Sequence, residues 1–379
     1  MDMSLTAVRV QQFRRRFAEM SAAQFSNRQV IQFCHAVELD FARRTGSLTD
    51  LRTLAMVANQ QKYALPEDVL GVKNVIFDPA IGNEVVREVS EQQILQVQYL
   101  TGRPYWYALM QAQKQIMLHP APDTAAKTNA INQTGFAATS TTLTVDSTTD
   151  FPSRGRIKID DEIIGYTATT STTFTGLTRG QEQTVAAAHA DDATVTYQNL
   201  ELQCFVKPKP LSVLYATGTV AITVDTKAVT GSSTVWNTGR TVKVGDWLGV
   251  GSLETTPTGA TFPLQFYKIA TITSDTALTL ELAYRETTET TGNYIITDQS
   301  SFPEDVGEII IEGMVMLGLF SVRSPLYTTK KSEYLELVQS GRSSLSPDDW
   351  LPQNVPRGGS VGVNGPQLDD AYGPLILYP

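Results

Sequence analysis

Apolar residues recur at helical spacing from the start of the chain, at Leu5, Val8, Phe13, Phe17 and Met20. A second helix is expected from Asn27 as N-cap, with Val30, Phe33, Cys34, Val37, Leu39 and Phe41 mostly on one face and Gly46 at its end. The period then shortens. Residues 60–77 read as two strands joined by a Pro-Glu-Asp turn at 66–68. A short helix is expected over residues 91–100, strands over 105–109 and 115–119, and a turn over 120–123.

Two changes of style interrupt this pattern. Residues 122–199 are rich in Thr, Ala and Asp, and short alternating β-branched runs between Gly and Asp pairs predict several short strands with tight turns. Residues 200–211 return to the earlier style, with Leu200, Leu202 and Cys204 alternating with polar positions. Were the first interruption absent, residues 115–119 and 200–205 would meet as an antiparallel hairpin, whose tip is where an inserted domain is best tolerated. A second Thr- and Gly-rich stretch follows up to residue 299, with strand spacing that suggests a β-sandwich or barrel.

At Phe302-Pro-Glu-Asp the helical period resumes. Pro303 suits a first helical turn, and Glu304 and Asp305 complement the positive end of its dipole. Ile309, Ile310, Val315, Met316, Leu319 and Phe320 make this helix apolar nearly all round, which predicts burial. Gly307, Gly313 and Gly318 cost roughly 0.5–1 kcal/mol each relative to Ala, so close helix approach or a conformational adjustment must account for them. A last helix is expected from Thr328 or Thr329 to Leu345. Beyond Pro347 prolines and glycines prevent regular structure, yet Trp350, Leu351, Tyr372, Leu375, Ile376, Leu377 and Tyr378 are scattered among them. This segment is either a disordered tail or an arm that orders against a neighbouring chain.

Composition narrows the function. The chain has 379 residues, 41% of them hydrophobic and 18% charged, which suits a folded protein of two or three domains. A formal net charge of −9 excludes broad attraction to nucleic acid by counterion release and suits a passage for DNA better than a grip on it. Arg14-Arg15-Arg16 is a local exception, either a solvated helix face or a contact with a partner. Cys34 and Cys204 are too few for a disulfide framework and read as buried free thiols in a reducing compartment. Neither a signal peptide nor a membrane span is recognisable, because the most apolar run is short and broken by Glu312 and Gly313.

Catalytic chemistry finds little footing. His35, His119 and His189 lie in different segments, and no pair has metal-ligand spacing. Asp160-Asp161-Glu162 suggests a cation site but lacks the ligand set of a calcium loop, so a hairpin turn with solvated carboxylates is expected. Trp236 and Trp247 are either core residues or an aromatic platform for sugar or protein. No nucleophile elbow, phosphate loop or zinc-protease motif is present, and no catalytic, cofactor-binding or metal-binding residue is assigned. A non-enzymatic protein without cofactors is expected.

Residues 63–75, Tyr-Ala-Leu-Pro-Glu-Asp-Val-Leu-Gly-Val-Lys-Asn-Val, then Gly102-Arg-Pro-Tyr-Trp-Tyr, Ile116-Met-Leu-His-Pro-Ala-Pro, the 200–211 strand and Phe302-Pro-Glu-Asp carry a resemblance. In this order they resemble the head-to-tail adaptor, or connector, proteins of tailed bacteriophages, particularly the tail accessory type of short-tailed phages. The resemblance covers residues 5–122, 199–212 and 300–346. It implies a helical-bundle adaptor core with a small β element; the two interruptions depart from the simplest members, so the chain is expected to be an α+β protein whose core is interrupted by two all-β inserted domains. The core would comprise residues 1–121, 200–213 and 300–346, the inserts 122–199 and 214–299, and an extended arm 347–379. The implied role is a homo-oligomeric, commonly dodecameric, ring at the virion neck, assembled in the host cytoplasm. Its partners would be the portal protein and tail or nozzle proteins, with fibres as a further candidate, and DNA would pass without sequence-specific binding. A tail-fibre or receptor-binding component using the second insert is the alternative.

Overall fold

In the computed structural model the residues described are 2–20, 25–77, 84–211, 214–238, 242–253, 262–263 and 265–344. Among them are five α-helices: α1 (Thr6–Met20), α2 (Asn27–Thr45), α3 (Glu91–Leu95), α4 (Gly307–Ser321) and α5 (Tyr327–Ser344). Strand outweighs helix, 35% against 23%, which overturns the expected helical-bundle core with a small β element. The physical reason lies in the flanking segments, which build a full sheet. Its strands are β1 (Thr49–Leu54), β2 (Lys62–Ala64), β3 (Val69–Phe77), β4 (Glu84–Glu88), β5 (Trp106–Met110), β6 (Gln115–His119) and β7 (Leu200–Val206).

These seven strands run in the order β1-β7-β3-β4-β5-β6-β2, antiparallel except for the parallel pair β4–β5. The expected hairpin between residues 115–119 and 200–205 does not form. β7 instead inserts between β1 and β3, pairing Leu202 with Arg52 on one side and with Val75 on the other. Alternation explains the choice. Leu200, Leu202, Cys204 and Val206 all point into a core with Val75, Val86, Tyr107 and Leu118, which a central position buries more fully than an edge.

A second core lies among α1, α2, α4 and α5, built on Phe13, Phe17, Phe33, Phe41, Ile310 and Tyr334. Leu48 packs on both this core and that of the sheet. α4 is buried along nearly its whole length, as its apolar circumference requires. Its glycines are positions of close approach. A Cβ on Gly313 would stand 2.5 Å from Val37 Cγ1 and 2.9 Å from Tyr334 Cε2, and one on Gly318 2.8 Å from Phe17 Cε2. α2 is capped by Ser26 rather than Asn27: Ser26 Oγ accepts from Gln29 N, and Gln29 Oε1 accepts from Ser26 N at 2.9 Å. Asn27 is otherwise engaged, its Oδ1 accepting from Arg14 Nη2 at 2.5 Å. Gly46 ends the helix in the left-handed conformation.

Residues 128–197 form a five-stranded and a three-stranded sheet around Ile131, Phe136, Ile157, Ile164, Phe174 and Val195. Residues 219–297 form a second seven-stranded sheet around Trp236, Leu248, Tyr267, Leu278 and Tyr294. Each unit closes its own core. Among the described residues no helix is long and apolar enough to cross a membrane.

Candidate interaction surface

The face of the first sheet opposite its main core is covered in part by α3, where Ile94 meets Ala108, Met110 and Met117. α3 is held by a capping box, Ser90 Oγ accepting from Gln93 N at 3.2 Å while Gln93 Oε1 accepts from Ser90 N at 3.1 Å. Its length is five residues, ending at Leu95 instead of continuing to residue 100. The chain leaves the helix because residues 99–102 are drawn onto the strand end: Ala121 N donates to Leu100 O at 2.9 Å and Gly102 N to Ala121 O at 2.8 Å. Tyr99 Oη donates to Asn59 O at 3.0 Å.

That path leaves large apolar side chains in solvent. Leu95 is 54% exposed, Tyr99 53%, Leu100 49% and Tyr105 49%. Next to them Trp106, half-buried, stacks on the buried His119 with ring centroids 5.8 Å apart, and Tyr105 packs edge-on to Trp106 at 5.1 Å. Arg87 is exposed at the rim, in register with Trp106 across the parallel pair. The stretch from residue 92 to 102 carries no charge. Single exposed apolar residues are ordinary, but four large ones between residues 95 and 105, two of them aromatic, have the composition of an interface core. The resemblance motif Gly102-Arg-Pro-Tyr-Trp-Tyr runs through this patch. The sequence reading missed the patch itself, whose signal is the uncharged run.

Two joints fix the β-units to the rest. At the first, Glu182 accepts from Thr53 N at 2.9 Å and from Thr53 Oγ1 at 2.6 Å, with Arg156 Nη1 3.3 Å away. Burial raises the Glu182 carboxyl above its ordinary value, and the bonds from Thr53 and the charge of Arg156 act against that. At the second, segment 297–300 caps α1: Thr6 N donates to Asp298 O at 3.2 Å and Ala7 N to Thr297 Oγ1 at 3.0 Å. Beneath it the fully buried Arg9 pairs with Glu38, and both meet Ser300.

Of the residues expected to make contacts, Arg14 and Arg16 are engaged within the chain. Arg14 donates to Phe25 O and Asn27, and Arg16 pairs with Glu308 and, at 2.6 Å, with Glu312. Arg15 is half-buried on α1. Trp350, Leu351, Tyr372, Leu375, Ile376, Leu377 and Tyr378 lie outside the described residues. Trp236 is fully buried, donating to Tyr294 Oη at 3.1 Å, and so offers no platform; Trp247 is half-buried against Leu5, Val8 and Ile295.

Glu162 is not the solvated turn carboxylate expected. It is buried and holds Arg179 through two bonds, of 2.8 and 2.7 Å, while His189 bridges it to Asp160. Burial alone would raise its pKa, but Arg179, the amides of Ala187 and Gly180, and His189 together bring it down to about 2. Cys34 and Cys204 are free and buried, and burial pushes both thiols up to about 12, far from a nucleophile's range. Among the described residues no group of three or more His, Cys, Asp or Glu side chains could hold a metal ion.

Residues 5–164 match the family model of the SU10 adaptor protein. The match spans α1 to α3, β1 to β6 and the first part of the following β-unit, and thus includes the exposed aromatic patch. It supports a phage head-to-tail adaptor, the family that the motifs within residues 63–122 resemble; the motifs at 200–211 and 302–305 lie beyond the match. That family is structural rather than catalytic, and its members belong to the virion. No curated protein matches the chain.

Proposed function

We propose that this chain is a head-to-tail adaptor that assembles into a closed ring at the virion neck, between portal and tail, with DNA passing through the lumen. The observation that carries the reading is the match over residues 5–164, the segment that supplies α1, α2 and six of the seven strands of the first sheet. The acidic balance suits a passage, since an acidic wall repels the DNA backbone instead of holding it. A ring follows from a heterologous contact whose rotation closes, built from buried apolar surface and the arm beyond residue 347.

Within that reading residues 122–199 and 214–299 are inserted units facing outward toward tail or fibre proteins. Chain geometry supports insertion. The first unit enters and leaves on either side of one residue, Ala126 N donating to Met56 O at 2.7 Å and Met56 N to Asn199 Oδ1 at 2.9 Å. At the second, Tyr215 and Ile296 exchange both backbone bonds, at 3.0 and 2.8 Å. Adjacent chain ends let a host accept a guest without disturbing its core, and here they do so away from any hairpin tip.

Imaging intact particles with a label on the second unit tests the assignment. Density at the neck is expected, whereas label confined to fibre tips refutes it in favour of the receptor-binding alternative.

A further inference from the structure

We infer that the outer edge of β1 is a strand-addition site for the β1 of a second copy, held closed by side chains, with Glu182 of the first β-unit as its principal guard. β1 ends the seven-stranded sheet, and among the described residues no strand pairs with its outer side. The register shows which backbone groups face out. Thr49 stands opposite Phe205, and Val206 N donates to Leu48 O at 3.0 Å, so by alternation Leu48, Asp50, Arg52 and Leu54 bond to β7. Thr49, Leu51 and Thr53 therefore turn their N–H and C=O groups away from the sheet, as the row that an added strand needs. Three of those six groups are already taken. Thr53 N donates to Glu182 Oε2 at 2.9 Å, Leu51 N donates to Asp50 Oδ1 at 2.8 Å, and Leu51 O accepts from Arg52 Nη1 at 2.6 Å.

The guard sits on a strained loop. Glu182 and Gln183 have φ of 56° and 65°, in the left-handed region that residues other than glycine seldom adopt. This path brings the Glu182 carboxylate to both Thr53 N and Thr53 Oγ1, beside Arg156, and Gln183 Nε2 to Asp68 Oδ2 at 3.3 Å. The occupant is a second β1 because the strand complements itself. An antiparallel pair centred on Leu51 sets Thr49 opposite Thr53 of the second copy and Asp50 opposite its Arg52. β-Branched and oppositely charged residues then face each other across a two-fold axis. Thr49 and Asp50 are exposed, so the start of the strand is within reach. The far edge of the sheet is less suited, since β2 has three residues and a strand that short discourages addition by itself.

The test traps the pair by oxidation of the full chain carrying Leu51→Cys. At the axis of the pair two such thiols meet, with Cα atoms about 5.5 Å apart, within disulfide reach. Cys34 and Cys204 are buried and do not compete. Disulfide-linked dimer on a non-reducing gel should be scarce in this variant. It should rise about tenfold or more when Glu182→Ala and Asp50→Ala are added, because two edge amides lose their acceptors. Thr49→Pro, at the exposed first residue of the strand, removes an outward N–H without touching the ladder to β7, and should return the opened variant to the guarded yield. A yield unchanged by opening the guard, whether high or low, overturns the inference, as does an opened variant indifferent to Thr49→Pro. Glu182→Ala alone keeps the test available should the combined variant not fold. Its Thr53 amide should exchange faster than in the parent when dilute and slow about tenfold as protein concentration rises; exchange independent of concentration overturns the pairing.

Discussion

Replacing Gly313 with Ala tests the claim that α4 carries its glycines for close packing. A Cβ there would meet Val37 Cγ1 at 2.5 Å and Tyr334 Cε2 at 2.9 Å. Neither neighbour can yield easily. Val37 is β-branched and fully packed in α2, and the buried Tyr334 is pinned by its hydroxyl, which donates to Asp40 Oδ2 at 2.9 Å. Overpacking of this kind costs about 1–3 kcal/mol, and two rigid neighbours place it near the upper end. Helix propensity returns about 1 kcal/mol for Gly to Ala. The net expectation is a loss of about 2 kcal/mol, read from urea unfolding followed by far-ultraviolet circular dichroism. Gly341→Ala in α5 is the control, because the atom its Cβ meets first is the terminal Cδ1 of Ile309, at 2.7 Å, which can swing away. That variant should be neutral or up to about 1 kcal/mol more stable. Adding Val37→Ala to Gly313→Ala should show favourable coupling of about 1 kcal/mol, since it removes the methyls that clash. If Gly313→Ala were as stable as the parent, the packing explanation would fail and backbone adjustment would take its place.

The remaining predictions concern the β-units. Glu162→Ala should cost the first unit about 3–5 kcal/mol, because it leaves Arg179 buried without its carboxylate; calorimetry of the full chain should show that unit's transition moving alone. Because the folded Glu162 pKa lies below its ordinary value, its contribution is present above about 4.5 and lost as pH falls toward about 2, so the same transition should drop across that window and do so less in Glu162→Gln. Glu182→Ala should speed hydrogen exchange at the Thr53 amide about tenfold or more without unfolding either neighbour, as expected for a lost bond to a charged acceptor. Trp236→Ala should lower the stability of the second unit by about 3–5 kcal/mol and leave glycan binding unchanged, since the ring is core.

Helices were the most legible part of this sequence. The stripe of Val30, Phe33, Cys34, Val37 and Phe41, the left-handed Gly46 and the all-round apolar α4 each state a period or a stop that tertiary contacts merely reinforce. Short strands were less legible. β1, Thr-Asp-Leu-Arg-Thr-Leu, holds its place through the buried Arg52 paired with Asp50 and Asp68, and no hydrophobic alternation announces it. Pairing was not legible at all: β7 was recognisable as a strand, but its neighbours were decided by which slot buried Leu202 and Cys204, a property of the assembled sheet. The same holds for Glu162, whose partner Arg179 sits 17 positions away in the chain. The patch from Leu95 to Trp106 was hidden because exposure depends on where α3 stops, and that is set by backbone bonds to Ala121.

Mass photometry and electron imaging of the purified full chain, alone and with its portal protein, test the central claim most directly. The adaptor reading predicts closed rings of a single size, formed by the chain itself or templated by the portal. A chain that remains monomeric in both preparations would contradict it.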